Sequence, residues 1–139
     1  MLKINLQILI KNFVPKKSLF KKWVAVALPK NKNAELTIRV VNCKESQTLN
    51  KKYRNKNRPT NILSFAGDDH YLGDLVICAP LVKKEAGEQN KPLMHHFAHL
   101  TIHGVLHLLG YDHHTKKQAK IMENLEVKIL KKLKIGDPY

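Results

Sequence analysis

The run His103-Gly104-Val105-Leu106-His107-Leu108-Leu109-Gly110-Tyr111-Asp112-His113 decides how the chain around it must fold. Residues four apart on an α-helix share a face, so His103 and His107 direct their imidazoles to one point. Gly110 falls where that helix should end. Glycine alone enters the left-handed C-terminal conformation without steric cost, and the chain then folds back to bring His113 to the same point. Three ligands on a tetrahedral ion leave a fourth position for water or substrate, the arrangement of catalytic rather than structural zinc. The metalloprotease pattern H-E-x-x-H-x-x-G-x-x-H matches at the three histidines and the glycine, but Gly104 stands where those enzymes carry their general base. A metallopeptidase would therefore need a base from outside the motif.

Other residues surround this run with open alternatives. His99, four before His103, is a ligand in place of His107 or His113, or else a residue that supports the ligands or packs in the core; only the set His103, His107 and His113 has a turn to supply a ligand from another direction. His70, His95, His96 and His114 read as surface residues, with His114 a substitute for His113. Asp112 either orients an imidazole or serves the turn. Asp74 lies in an apolar strand, where a lone carboxylate is costly, so it should meet a cation or the site. Arg54 is either a phosphate clamp, for which the guanidinium fork is suited, or one more cation on a solvated loop.

Working outward, Leu2 to Ile10 alternates like a half-buried strand, and an amphipathic helix carrying Leu19, Phe20, Trp23, Val26 and Ala27 on one face follows Pro15 and ends near Pro29. Leu36 to Val41 is a second strand, Glu45 to about Tyr53 a short helix, and Arg54 to Pro59 a basic loop. Asn61 to Phe65 and Leu72 to Cys78 are two further strands, close enough in sequence to pair antiparallel. Pro80 opens a helix to about Gln89, Pro92 starts the histidine helix, and Lys116 to about Lys134 makes the last. Strands and helices mix without strict alternation. The expected architecture is α+β: a small mixed four-stranded sheet covered by about five helices, one a zincin-like metal helix, in a single domain over residues 1–139.

With 25 basic and 11 acidic residues, the formal charge of +14 favours polyanionic partners, nucleic acid first, and disfavours acid-rich ones. Lysine far outnumbers arginine, so part of that excess is surface usage. Cys43 and Cys78 lie far apart with no C-x-x-C spacing and read as reduced core thiols. No apolar run is long enough for a membrane crossing, and the alternating N-terminus does not form a signal-peptide core; the expected location is the cytoplasm.

With the histidine run, the loop Tyr53-Arg54-Asn55-Lys56-Asn57-Arg58-Pro59-Thr60-Asn61-Ile62-Leu63-Ser64-Phe65 and the strand Leu72-Gly73-Asp74-Leu75-Val76-Ile77 taken together, the chain resembles the bacterial YbeY family from about Leu36 to Tyr139. The resemblance implies a single-strand-specific, metal-dependent endoribonuclease acting in 16S rRNA 3′-end maturation and 70S ribosome quality control, with single-stranded RNA, rRNA and the ribosome or its associated proteins as partners. It implies one zinc ion on His103, His107 and His113, and a functional role for Arg54. Lys56, Arg58 and Phe65 are candidates for RNA contact, with Tyr71 a second aromatic able to stack on bases. Asn57 stands where the family usually has aspartate, and Ala66 where proline is common. The rival from another class is a non-catalytic RNA-binding assembly factor whose zinc stabilises the helix end.

Overall fold

Alternate apolar residues build the sheet, and where their side chains go decides which helix lies on which face. The computed structural model describes residues 1–139, with the element order β1 (Leu2–Ile8), α1 (Lys17–Ala27), β2 (Ala34–Val41), α2 (Cys43–Arg54), β3 (Ile62–Ala66), β4 (Gly73–Cys78), α3 (Ala79–Glu88), α4 (Leu93–Leu108) and α5 (Lys116–Lys132). The four-stranded sheet runs β1-β2-β4-β3. β1, β2 and β4 are parallel, and β3 returns antiparallel to β4, so the sheet is mixed as the sequence predicts. β3 is one edge of the sheet, with nothing hydrogen-bonded beyond it.

Ile4, Leu36, Ile38, Val40, Ile62, Leu75 and Ile77 point to one face and meet Phe20, Val24, Phe97, Ile102, Leu106 and Leu130 from α1, α4 and α5 in the main core. The other face carries Val41, Leu63 and Val76, covered by Leu49 of α2 and by Phe65. Thus α2 and the histidine helix lie on opposite faces of the sheet.

α4 is buried over most of its circumference, because it runs between the sheet and the helices α1, α3 and α5. Gly104 makes its approach to the sheet possible: a Cβ there would lie 2.7 Å from Leu75 Cδ2 and 2.8 Å from Ile62 Cδ1. The departure from the protease pattern thus follows from packing. The helix ends as the sequence predicts. Tyr111 N donates to the Leu106 carbonyl and Gly110 N to that of His107, each at 3.0 Å, while Gly110 takes a φ of +102°. This pair of bonds is the Schellman stop, in which a positive φ after the helix reverses the chain. α5 then starts on a capping box between Thr115 and Gln118.

Three expectations are corrected. His96 is not at the surface: it is 3% exposed, with Nε2 2.9 Å from Glu85 Oε1, because the face of α4 that it occupies is covered by α3. β1 stops at Ile8, two residues early, although Leu9 N still donates to the Val40 carbonyl. Cys43 is not a core thiol: it is only partly buried while Cys78 is buried, and the two, free as expected, touch with Sγ to Sγ 3.6 Å because one begins α2 and the other ends β4.

Candidate metal centre and cleft

Helix geometry brings His103 and His107 together with their Nε2 atoms 3.1 Å apart. The turn at Gly110 returns His113 so that its ring lies 4.9 Å from that of His107 and 5.6 Å from that of His103, centroid to centroid. One nitrogen from each of the three falls within 4.8 Å of the others, a group able to hold a metal ion. The Nδ1 atoms are already engaged. His103 Nδ1 donates to Glu126 Oε1 at 2.6 Å, and His107 Nδ1 to the Tyr111 carbonyl at 3.0 Å. Neutral rings held in that tautomer turn two Nε2 lone pairs toward each other, which is unfavourable unless a cation lies between them. Tetrahedral ligands at zinc distances stand about 3.3 Å apart, so the donor set fits. His107 is also held below the ordinary histidine pKa, first by burial and then by the charges of His103 and His113, which favours the neutral ligand form.

Glu126 is a residue that sequence reasoning missed. Its side chain is wholly buried on α5. Oε1 takes the His103 hydrogen bond and lies 3.3 Å from His99 Nε2, while Oε2 accepts from the Tyr139 hydroxyl. Burial would raise the carboxyl pKa, but the hydrogen bonds from His103, His99 and Tyr139 overcome it and hold the group at about 2. Burial and donation to Glu126 push the Tyr139 phenol the other way, far above its usual value. The available signal was periodicity: Glu126 stands on the same helical stripe as Met122, Ile129 and Leu130, all buried. His99 sits between His103 and Tyr139, 12% exposed in its side chain, and belongs with Glu126 in a second group of convergent donors, His99, His103 and Glu126.

The imidazoles open onto a cleft of about 850 Å³ that also touches Arg54, Tyr53, Phe65, Asp112 and the whole of β3. The cleft straddles the sheet edge, with the histidines of α4 on one side and Tyr53, Arg54 and Phe65 on the other. Arg54 is the last residue of α2, which Asn55 closes in the left-handed conformation with a φ of 57°. Buried polar residues of α2 then tie down the loop that follows. Asn50 Nδ2 donates to the Arg58 carbonyl at 2.8 Å, and Ser46 Oγ donates to the Thr60 carbonyl at 2.7 Å. Asn57 Oδ1 accepts from Gln47 at 3.0 Å, a bond that an aspartate would accept equally well.

Not every candidate reaches the cleft. Lys56 and Arg58 are exposed on the loop but do not line it. Asp74 meets neither a cation nor the histidines: it accepts from the Tyr71 hydroxyl, which also contacts Thr37. Tyr71 itself does not line the cleft, so it is not placed to stack on a base there. Asp112 lines the cleft but accepts from the His113 backbone N–H at 2.8 Å and pairs with His114 at 2.9 Å, so its work is in the turn.

Fold and site define an α+β protein with a candidate three-histidine metal centre beside a cleft flanked by an arginine. Residues 9–134 match the family model described as Endoribonuclease YbeY. Curated relatives of that name include one from Nitrosomonas eutropha, 50% identical over 93% of this chain and 92% of its own length. Another, from Stenotrophomonas maltophilia, is 54% identical over 86% of this chain and 81% of its own. A third, from Methylococcus capsulatus, is 46% identical over 100% and 96%. A solution structure of a Thermotoga maritima protein superposes with a TM-score of 0.60 at 25% identity, covering 96% of this chain and 92% of that one. The chain belongs to the YbeY endoribonuclease family. No helix is long and apolar enough to cross a membrane.

Proposed function

We propose that the protein is a zinc-dependent endoribonuclease that hydrolyses phosphodiesters of single-stranded RNA, with one ion on His103, His107 and His113. An endoribonuclease role in rRNA processing accompanies membership of the family. The finer assignment, to 16S rRNA 3′-end maturation and 70S ribosome quality control with the ribosome as partner, rests on the resemblance carried by the histidine run and the Arg54 loop; a cytoplasmic location is proposed with it, since that is where a ribosomal substrate would be met. The observation that carries the reading is the convergence of three imidazole nitrogens, two with their Nδ1 atoms already donating, on the wall of a cleft that Arg54 also lines.

Zinc, when bound, lowers the pKa of a water from about 15.7 toward 7 and so supplies a nucleophile at neutral pH without a strong protein base. Glu126 and the Tyr111 carbonyl orient His103 and His107. Arg54, at the opposite side of the cleft, presents a guanidinium to the phosphoryl oxygens, where negative charge grows during cleavage. Gly104 leaves no carboxylate at the position used by proteases, and its place against Leu75 and Ile62 is filled by the sheet.

Metal analysis of the purified protein, combined with incubation of single- and double-stranded RNA with and without chelator, tests the reading. Bound zinc with chelator-sensitive cutting of the single strand is the expected result. RNA binding without cutting would favour the non-catalytic assembly factor, and cutting that survives complete metal removal would overturn the metal assignment.

A further inference from the structure

The side of the cleft away from the histidines has its own surface. Tyr53 is 57% exposed at the end of α2, immediately before Arg54. Its ring meets that of the half-buried Phe65 edge to face, with centroids 5.0 Å apart and planes at 66°. Phe65 is anchored below by Leu63 and Val76, so the exposed ring rests on a fixed one. Both line the cleft.

Between these rings and the histidines runs the outer edge of β3. Cys78 N donates to the Asn61 carbonyl and Gly67 N to that of Leu72, which fixes the register of the ladder. In an antiparallel pair the bonded positions alternate, so Leu63 and Phe65 bond to β4 while Ile62, Ser64 and Ala66 turn their N–H and C=O groups away from it. All three line the cleft. Proline in place of Ala66 would cost no ladder bond for the same reason.

We propose that Tyr53, braced by Phe65 and flanked by the free edge of β3, forms a nucleobase subsite that seats one unpaired RNA base beside the metal centre. An aromatic face stacks on any base, and the outward backbone groups offer donors and acceptors to its edge. The surroundings suit a polyanion: Lys52 Nζ lies over the Tyr53 ring, 5.2 Å from its centre, on an exposed side chain that an incoming base would displace toward its own phosphate, and Arg54 follows in the chain. Lys56 and Arg58 are exposed on the loop that follows, outside the cleft itself. A base held in a duplex presents neither a free face nor a free pairing edge, so this subsite would impose the single-strand requirement. The inference rests on the RNA reading above.

The test is the KM and kcat of the zinc-loaded enzyme on a short single-stranded RNA, and on copies carrying one abasic nucleotide at each successive position around the cut. Tyr53→Leu should raise KM about tenfold on the intact strand, within the range of one lost base stack. On the copy whose abasic position coincides with the subsite it should have no further effect. Tyr53→Phe, which keeps the ring, should restore the parent KM, and Phe65→Leu should give a smaller rise. An equal loss on every abasic copy, or no change on any, would overturn the subsite while leaving the nuclease intact. A parent protein that cuts no RNA overturns the function and the subsite together.

Discussion

The Glu126 carboxylate, buried on α5, accepts the Nδ1 hydrogen of His103 at 2.6 Å across the interface with α4. A carboxylate so placed fixes the ring tautomer and increases the basicity of the nitrogen that faces the ion. Glu126→Gln keeps the shape and removes the charge. Zinc affinity, measured by competition with a chromogenic chelator, should fall about 10–100-fold while the far-ultraviolet circular dichroism stays unchanged. An affinity within a factor of two of the parent would reduce Glu126 to a packing role.

Arg54 ends α2 with its side chain exposed on the cleft wall, so removing it should leave the fold alone. Arg54→Ala should retain bound zinc and its melting temperature yet lose about 100–1,000-fold in kcat, the scale for one missing donor to developing charge. Cleavage at the parental rate would place the phosphate contact elsewhere.

His96 gives a pH dependence separate from the ligands. Burial, only partly offset by the bond to Glu85, holds it below its ordinary value of 6.5. The unfolded chain therefore binds more protons than the folded one just beneath that pH, and stability declines as pH drops from 6.5 toward the folded pKa. His107 is lowered in the same direction, so the comparison is between parent and His96→Gln, both with chelator present. Melting temperatures between about pH 5 and 7.5 should fall less steeply in the variant. Parallel curves would show that His96 contributes nothing to the slope.

Gly104→Ala drives a methyl into Leu75 and Ile62, each less than 3 Å from the new carbon. Since those atoms are ends of flexible side chains, the cost should sit near the overpacking range of about 1–3 kcal/mol, read by urea denaturation. Gly104→Glu restores the protease pattern in sequence but should give no peptidase activity, only a larger loss of stability. Hydrolysis of casein by that variant would contradict the packing account.

How far the sequence could be read depends on whether a feature is local. The three ligand candidates and the turn between them lie within one run, so helix spacing and the stop at Gly110 are enough to bring them together. The strands and helices follow equally local periodicity, with ends shifted by a residue or two. Glu126 and His96 were not legible, because their burial is set by α5 and α3 docking onto α4, elements remote in sequence. Asp74 was recognised as needing a partner, yet that partner is a tyrosine hydroxyl three residues away. Tyr53 gave no periodic signal at all; its significance comes from the edge position of β3, which only topology supplies.

All three imidazoles come from residues 103–113, a stretch that crosses no strand, while the carboxylate that holds the His103 ring comes from α5. The nitrogens are therefore local in sequence but their orientation is not: a peptide of this stretch alone would carry the ligand candidates without the carboxylate that holds the His103 ring. A chain in which α5 has come away would accordingly keep its ligand candidates side by side while losing most of its grip on any ion they share.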